Sequence, residues 1–333
     1  LALTKSHRTS QDKELVQWGQ EWARIDGAFT SGAGRPLSLR ATIRSSARGE
    51  PNAPRKTMEL NRVPRARAAD IVGQVPIVVF GPEDLGLVKG PPSGRRRFLN
   101  EAIAQIKPGY LADLMRYRRA LRQRNECLKT IRRDPSAREL LDAWDVPLVE
   151  GGAAIATGRA QFVASLEAEA ERSHHRLSNG RERLQIKYTG DLAECSDLAT
   201  RRDRFREALR TSVDRDLTLG RTAIGPHRDE LDILVGGKSL RTYGSQGQQR
   251  TAALSLTLAE AAVIYQWREE APIVLLDDCL SELDSHRAKE MLGLSHTAEQ
   301  MLVTTASWDP LLDQFAADAR VYDVGDGLVQ RRG

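Results

Sequence analysis

Cysteine is scarce in this sequence. Cys127, Cys195 and Cys279 are the whole set, odd in number and widely spaced. That excludes a disulfide framework and a cysteine-based zinc site, and it suits a reducing compartment, so the expected location is cytoplasmic. No apolar run approaches the roughly 18 residues of a membrane span. The opening LALTKSHRTS has an apolar run of three residues and does not read as a signal peptide. Nothing resembles a helix-turn-helix or a zinc module, which argues against sequence-specific DNA readout. His174 and His175 lack a further ligand at metal-binding spacing. The phosphate-loop pattern G-x-x-x-x-G-K-S/T is also missing. GAFTSGAGR has the glycines but not the lysine, and it follows no convincing strand. GPPSGRRRF has Arg where Lys is needed and Phe where Ser or Thr is needed.

What is present is a 333-residue chain, 40% hydrophobic and 29% charged, large enough for a substantial core and two domains or subdomains. Its net charge of +5 is spread unevenly. Residues 31–70 hold nine Arg or Lys against three Asp or Glu, and residues 89–133 hold thirteen against three. Together those segments carry +16, which leaves −11 for the rest. Basic charge concentrated in this way points to a polyanion, with nucleic acid the first candidate.

Periodicity divides the chain. PLSLRATIRS alternates, TMELNRVPRA reads as a hairpin segment, and VPIVVF reads as a buried strand. LALTKSH reads as helical. From about residue 93 apolar residues recur at helical spacing, as in Leu111, Leu114, Tyr117 and Leu121. Gly151 to Arg176 is a second helical stretch, and the two can form an antiparallel arm. RERLQIKYTG reads as a strand and LATRRDRFREALRTSVDRDLTLG as a helix. ELDILVGGKSL reads as a hairpin, and GSQGQQRT as a Gly-rich turn opening a long helix. IVLLDD and QMLVTTAS read as strands with HRAKEMLGL a helix between them. This order implies an α/β fold with a mostly parallel sheet and a helical insertion. The expected division is residues 1–90, 91–215 and 216–333, the first and last being parts of one head and the middle a helical arm.

Two segments carry chemistry. IVLLDD delivers Asp277 to the carboxyl edge of a sheet, where open α/β sheets bind ligands. A carboxylate there can hold Mg²⁺ beside nucleotide phosphates, and Asp278 can orient or deprotonate a water. GSQGQQRT offers a hydroxyl, Ser245, and backbone N–H groups at a helix N-terminus, a natural phosphate-binding end. SELD, ending at Asp284, follows the aspartates and can cap the next helix.

SQGQ resembles the signature motif of the ATP-binding-cassette superfamily, IVLLDD its Walker B strand and SELD its D-loop. Together with KSHRT (5–9), FGPEDLGLVKGPPSGRRRFLN (80–100) and GPHRDE (225–230), they make the chain similar to the RecF family of bacterial DNA replication and repair proteins, relatives of SMC and Rad50 heads. KSHRTS followed by DKELVQWG especially resembles cyanobacterial members. The resemblance implies a P-loop NTPase head of the ATP-binding-cassette type with an inserted helical arm. In that family the phosphate loop lies just upstream of the segment matching LALTKSHRTS. The chain is therefore expected to lack the first strands and the P-loop, and to bind ATP poorly through its own head.

Carried over by residue, the resemblance implies that Asp277 acts on Mg²⁺ and that Asp278 stands near the hydrolytic water. Most cassettes have Glu at the second place, so slower hydrolysis and a switch are implied. Ser245, Gly247 and Gln248 would contact ATP held by the other subunit of an ATP-dependent homodimer, with Asp284 close to that interface. The implied function is ATP-dependent binding of single-stranded DNA, double-stranded DNA and their junctions. It serves gap repair and the SOS response by loading recombinase with RecO and RecR. Lys5, Arg8, Arg62, Arg65, Arg67 and Lys89 are the candidate phosphate contacts. A nucleotide-independent DNA-binding or scaffold protein is the alternative. A fragment of a long SMC-like coiled coil is disfavoured by the short arm.

Overall fold

The computed structural model describes residues 2–6, 9, 11–32, 34–45, 55–131, 139–280, 283–296, 298–308, 310–313 and 319–332. Its first layer is an antiparallel sheet in the order β1 (Trp22–Thr30), β2 (Pro36–Arg44), β3 (Lys56–Leu60) and β4 (Val63–Arg65). The alternation of PLSLRATIR sets its inner face. Leu39, Ala41 and Ile43 point inward, and the first two pack with Met58, Ile71, Val75 and Ala2. GAFT ends β1 and β2 opens at Pro36, so this Gly-rich segment does follow a strand. It opens a strand and no helix, which rules it out as a phosphate loop. The opening segment departs from the helical reading too. Residues 2–5 form turns, with Thr4 at φ +54° and its carbonyl accepting from Lys56 Nζ at 2.8 Å.

A parallel sheet forms the second layer. Its order is β10 (Gln300–Thr304), β9 (Ile273–Asp277), β5 (Ile77–Phe80), with Ile77 and Gln300 both opposite Ile273. Strands far apart in sequence are thus neighbours, and the chain between them is an insertion into one sheet. It comprises α1 (Leu85–Lys89), α2 (Pro92–Ile106), α3 (Tyr110–Ile131), α4 (Glu139–Leu177), β6 (Leu184–Thr189), α5 (Leu198–Leu219), β7 (Glu230–Val235), β8 (Lys238–Ser239), α6 (Leu240–Tyr243) and α7 (Gln246–Arg268). Strands β6, β7 and β8 form a small antiparallel sheet. After β9 come α8 (Ser285–Leu292) and a hairpin of β11 (Tyr322–Gly325) and β12 (Leu328–Arg331).

Helices α3 and α4 lie antiparallel, and close approach at Gly151 and Gly158 seats Tyr117 and Tyr110. Helix α4 is 39 residues long and continues through Pro147, beyond the stretch its periodicity marks. Pro removes one helical hydrogen bond, but Leu148 and Val149 beside it are fully buried, and that packing carries the helix through. One apolar core runs from Val78 and Leu276 in the parallel sheet through α7 to Phe162 and Leu209 in the helical region. A small separate cluster of Leu128, Ile131 and Leu141 closes the far end of the α3–α4 pair. No helix of the described residues is long and apolar enough to cross a membrane.

Candidate nucleotide site and basic surface

The alternation of IVLLD buries Val274 and Leu276 and brings Asp277 half-exposed to the carboxyl end of β9. Thr304, paired with it on β10, donates its hydroxyl to Asp277 Oδ1 at 2.7 Å. Asp278 is exposed, and its N–H donates to the carbonyl and the hydroxyl of Thr304, each at 3.1 Å. The end of β5 lies alongside. Gly81 N–H donates to Asp84 Oδ2 at 2.7 Å, and a Cβ on Gly81 would stand 3.7 Å from the carbonyl of Asp277. Burial, reinforced by Asp277, Asp278 and Asp84, pushes the Cys279 thiol up to about 12, so this cysteine is inert. Hard carboxylate and hydroxyl oxygens suit Mg²⁺. Among the described residues no group of three or more His, Cys, Asp or Glu has metal-binding geometry. An ion at Asp277 would draw the rest of its shell from water and phosphate, as Mg²⁺ commonly does.

The Gly-rich turn does open a helix. Ser245 is the N-cap of α7, in a capping box: Gln248 N–H donates to Ser245 Oγ at 3.2 Å, and Ser245 N–H donates to Gln248 Oε1 at 3.0 Å. The Gln248 side chain also donates to Glu182 Oε1 at 2.8 Å. The box leaves the N–H groups of Gln246 and Gly247 at the open end of the helix. Gly247 is unobstructed, since an added Cβ would find only Ser245 Oγ, at 4.0 Å.

The structure does not bring this turn to the aspartates. Helix α7 has 23 residues and β9 five. They span about 34 Å and about 17 Å respectively, running in opposite directions, so the turn stands well beyond the sheet edge. Asp284 caps α8, accepting from Arg287 N–H at 2.9 Å and pairing with its guanidinium at 2.6 Å. That backbone bond comes first among the causes that hold its carboxyl below the usual range. Ser281 and Glu282 of SELD lie outside the described residues.

The basic candidates separate by their partners. Lys5 pairs with Glu101, and Arg67 with Asp70 at 3.1 Å. Arg62 (at φ +65°) and Arg65 are exposed on the β3–β4 hairpin, and Lys89 is exposed at the end of α1. Arg8 lies outside the described residues. Within RRR, Arg95 is buried in a bidentate pair with Glu230 at 2.6 and 2.8 Å. Arg96 donates to the Asp229 carbonyl at 2.8 Å, and Arg97 pairs with Glu101 at 3.1 Å.

GPHRDE centres on a junction buried at Gly225, Pro226 and Asp229, and most of its partners have no pattern of their own in the sequence. Asp229 accepts from Arg159 at 2.8 Å and from the Tyr188 hydroxyl. Arg159 also donates to the Pro226 carbonyl at 2.7 Å and to Asn100 at 3.0 Å. His227 Nε2 faces the Thr222 carbonyl at 3.1 Å and so carries the proton. Its Nδ1 therefore accepts from the Tyr117 hydroxyl at 2.7 Å. Both ring nitrogens are engaged internally, which makes His227 a packing residue and leaves it nothing for a phosphate. Only the motif itself signals the junction, because an Arg–Asp pair across 70 positions has no periodicity.

A parallel sheet with aspartates at a strand end, preceded by a Ser-capped helix and interrupted by a helical insertion, defines an α/β head of the ATP-binding-cassette type. No family model matches the chain. It is 40% identical over 335 residues to the DNA replication and repair protein RecF of Halalkalibacterium halodurans, covering 100% of this chain and 88% of the relative. It is 39% identical over 332 residues to the protein of the same description from Geobacillus thermodenitrificans, covering 99% and 87%. Its fold matches a solved recombination mediator protein RecF with ATP, of the RecFOR pathway, at TM-score 0.87 and 30% identity over 100% of this chain and 86% of that one. An Smc head bound to the winged-helix domain of ScpA shares the fold alone, at TM-score 0.50 and 13% identity over 98% and 79%. The chain belongs to the RecF family of DNA replication and repair proteins.

Proposed function

We propose that this chain is an ATP-switched DNA-binding recombination mediator of the cytoplasm. It would act at single-stranded DNA, linear duplexes and their junctions in gap repair and the SOS response, and load recombinase with RecO and RecR. One observation carries the nucleotide half of this reading. The β5–β9–β10 register puts Asp277 and Asp278 at a strand end, one helix after a Ser-capped turn that stands beyond their reach. A turn so placed serves a second copy better than its own aspartates, which supports an ATP-dependent homodimer. In it the Ser245 hydroxyl and the N–H groups of Gln246 and Gly247 would meet the triphosphate held by the partner, with Gln248 bracing the turn and Asp284 near the interface. Mg²⁺, when bound, supplies charge neutralisation between phosphates. Asp277 would hold it, and Asp278 would orient the attacking water. An Asp is shorter than the usual Glu, which suits slow turnover and a switch. Arg62, Arg65 and Lys89 are the phosphate contacts this reading favours, since Lys5 and Arg67 already have acidic partners.

The test, on the intact parent protein that carries a phosphate loop, pairs light scattering with fluorescence anisotropy on labelled gapped DNA, with and without Mg-ATP. Dimers and DNA affinity that rise with Mg-ATP, and both fail in Ser245→Arg, support the reading. In a hydrolysing preparation Asp277→Asn is expected to impair Mg²⁺-dependent turnover. Dimers unchanged in Ser245→Arg would refute the signature role. DNA binding indifferent to ATP would favour the nucleotide-independent scaffold instead.

A further inference from the structure

Helix α3 and the turn that ends α5 enclose a groove of about 420 Å³, remote in sequence from the aspartate strand. Its apolar lining is Leu121, half-buried against the core, and Leu219, which is 44% exposed. Its charged lining includes Arg118 and Arg122, one helical turn apart on α3, and Arg221 on the facing turn.

Of the thirteen basic residues in segment 89–133, Arg95, Arg97, Arg116, Arg124 and Lys129 each pair with a carboxylate, and the Lys129–Glu126 pair sits in the groove lining itself, neutralising its own charge. Arg118, Arg122 and Arg221 have no acidic partner among the described residues.

The groove is also pre-formed. Arg124 is fully buried and bonds Asp145 at 2.6 Å, Asp216 at 2.7 Å and the Thr222 hydroxyl at 2.8 Å. Asn125 Oδ1 accepts from the N–H and the hydroxyl of Thr222, each at 2.8 Å. These bonds fix the turn at Gly220, whose φ is +64°, onto α3 and hold Arg221 opposite Arg118 and Arg122. A site that needs no rearrangement loses little affinity to ordering.

We propose that this groove docks a short acidic segment of a partner protein, one that carries an apolar side chain between its carboxylates. Three guanidiniums without acidic partners among the described residues call for carboxylates, which arginine binds in bidentate fashion. The leucines call for an apolar anchor, and arginine around an apolar centre is the composition of protein-binding hot spots. A duplex backbone would satisfy the arginines but leave the leucines uncovered, because its phosphates form a polar ridge. The volume falls in the usual range for a site that takes a few side chains. The proposal does not depend on the nucleotide reading.

The test uses the full chain and a fluorescein-labelled peptide of about ten residues, with aspartates flanking a central leucine–phenylalanine pair, followed by anisotropy at physiological salt. Saturable micromolar binding is expected. It should weaken about tenfold or more in Arg118→Glu/Arg221→Glu, and equally in Leu219→Asp, or when the peptide's apolar pair is replaced by serines. Melting curves check folding, and Arg221→Gln and Leu219→Ser stand in for any variant that fails to fold. No saturable binding overturns the proposal. So does binding that is lost on charge reversal yet indifferent to Leu219→Asp, and a labelled duplex giving that same pattern would assign the surface to nucleic acid.

Discussion

Thr304 donates its hydroxyl to Asp277 at 2.7 Å, across the β9–β10 pair, and the next amide along, Asp278 N–H, turns back onto Thr304. The strand that follows the aspartates therefore holds both of them. Asp278 sits at φ +48°, a conformation an L-residue adopts at some cost, and these bonds hold it there.

Thr304→Val keeps the β-branched shape and removes the hydroxyl. It is expected to destabilise by about 1 kcal/mol in urea denaturation. Combined with Asp277→Asn it should cost less than the sum of the two single changes, because they share a bond. Strict additivity would show that the hydroxyl does not position the aspartate.

Gly247 and Gly225 make a second test, because both are glycines in recognisable motifs but for different reasons. Only Ser245 Oγ, at 4.0 Å, stands near a Cβ on Gly247. Gly247→Ala is expected to leave the melting temperature unchanged or slightly higher, while ATP-dependent self-association falls at least about tenfold. Gly225 sits at φ +126°, and a Cβ there would lie 2.7 Å from Phe205 and 2.8 Å from the Tyr117 hydroxyl. Gly225→Ala should cost roughly 1–3 kcal/mol or more in urea denaturation. Equal destabilisation by the two would remove the distinction.

Local pattern made much of this fold legible. Alternation marked β2, short continuous apolar runs marked β5 and β9, and the Ser/Gly turn before a long apolar run marked α7. What stayed hidden depends on distant partners. WARIDGAFT lacks clean alternation and is a strand because β2 pairs along its whole length. LALTKSH has a helical composition, but Lys56 and the underside of the antiparallel sheet hold residues 2–5 in turns. Charge counting found the basic segments, yet it could not tell Lys5, which pairs with Glu101, from Arg62, which is exposed without such a pair. The candidate site was legible for the same reason as its strand and helix, since Asp277 and Ser245 stand at ends that pattern defines. The Arg159–Asp229 junction beneath GPHRDE was not, because it joins residues on separate elements.

Glu260 lies in the buried run of α7, and its carboxyl is raised well above the ordinary 4.5, first by burial and then by Asp84 and Glu101. The folded state favours the protonated acid. Its contribution is fully present below 4.5 and is lost as pH rises through the folded value. Glu260→Gln copies the neutral acid. The variant is expected to be more stable than the parent near pH 8, on the order of 1–3 kcal/mol, with the gap narrowing toward pH 5. A gap that does not change with pH would mean Glu260 is not the titrating group.

Two histidines give the opposite slope. His174 is buried between Ser255 at 3.1 Å and Glu182 at 3.3 Å, and His227 is half-buried between Tyr117 and Thr222. Burial is the largest cause that holds each below the usual 6.5. The native state therefore resists a proton that the unfolded chain takes up below 6.5, so the stability is present above that value and is lost as pH falls beneath it. Urea midpoints are expected to be insensitive to these groups between about pH 7 and 8, and to fall from about pH 6.5 downward, before most carboxylates titrate. His227→Gln keeps a donor and an acceptor but cannot ionise, so it should flatten part of that fall even if it lowers stability at neutral pH. His174→Asn should flatten another part. Glu182 also holds Gln248, so proton uptake at His174 is expected to loosen the α7 cap as well, seen as faster amide exchange at Gln248 near pH 5.5 than a uniform correction for pH allows. An acid limb of the stability curve identical in the parent and in the double variant would show that other groups set it.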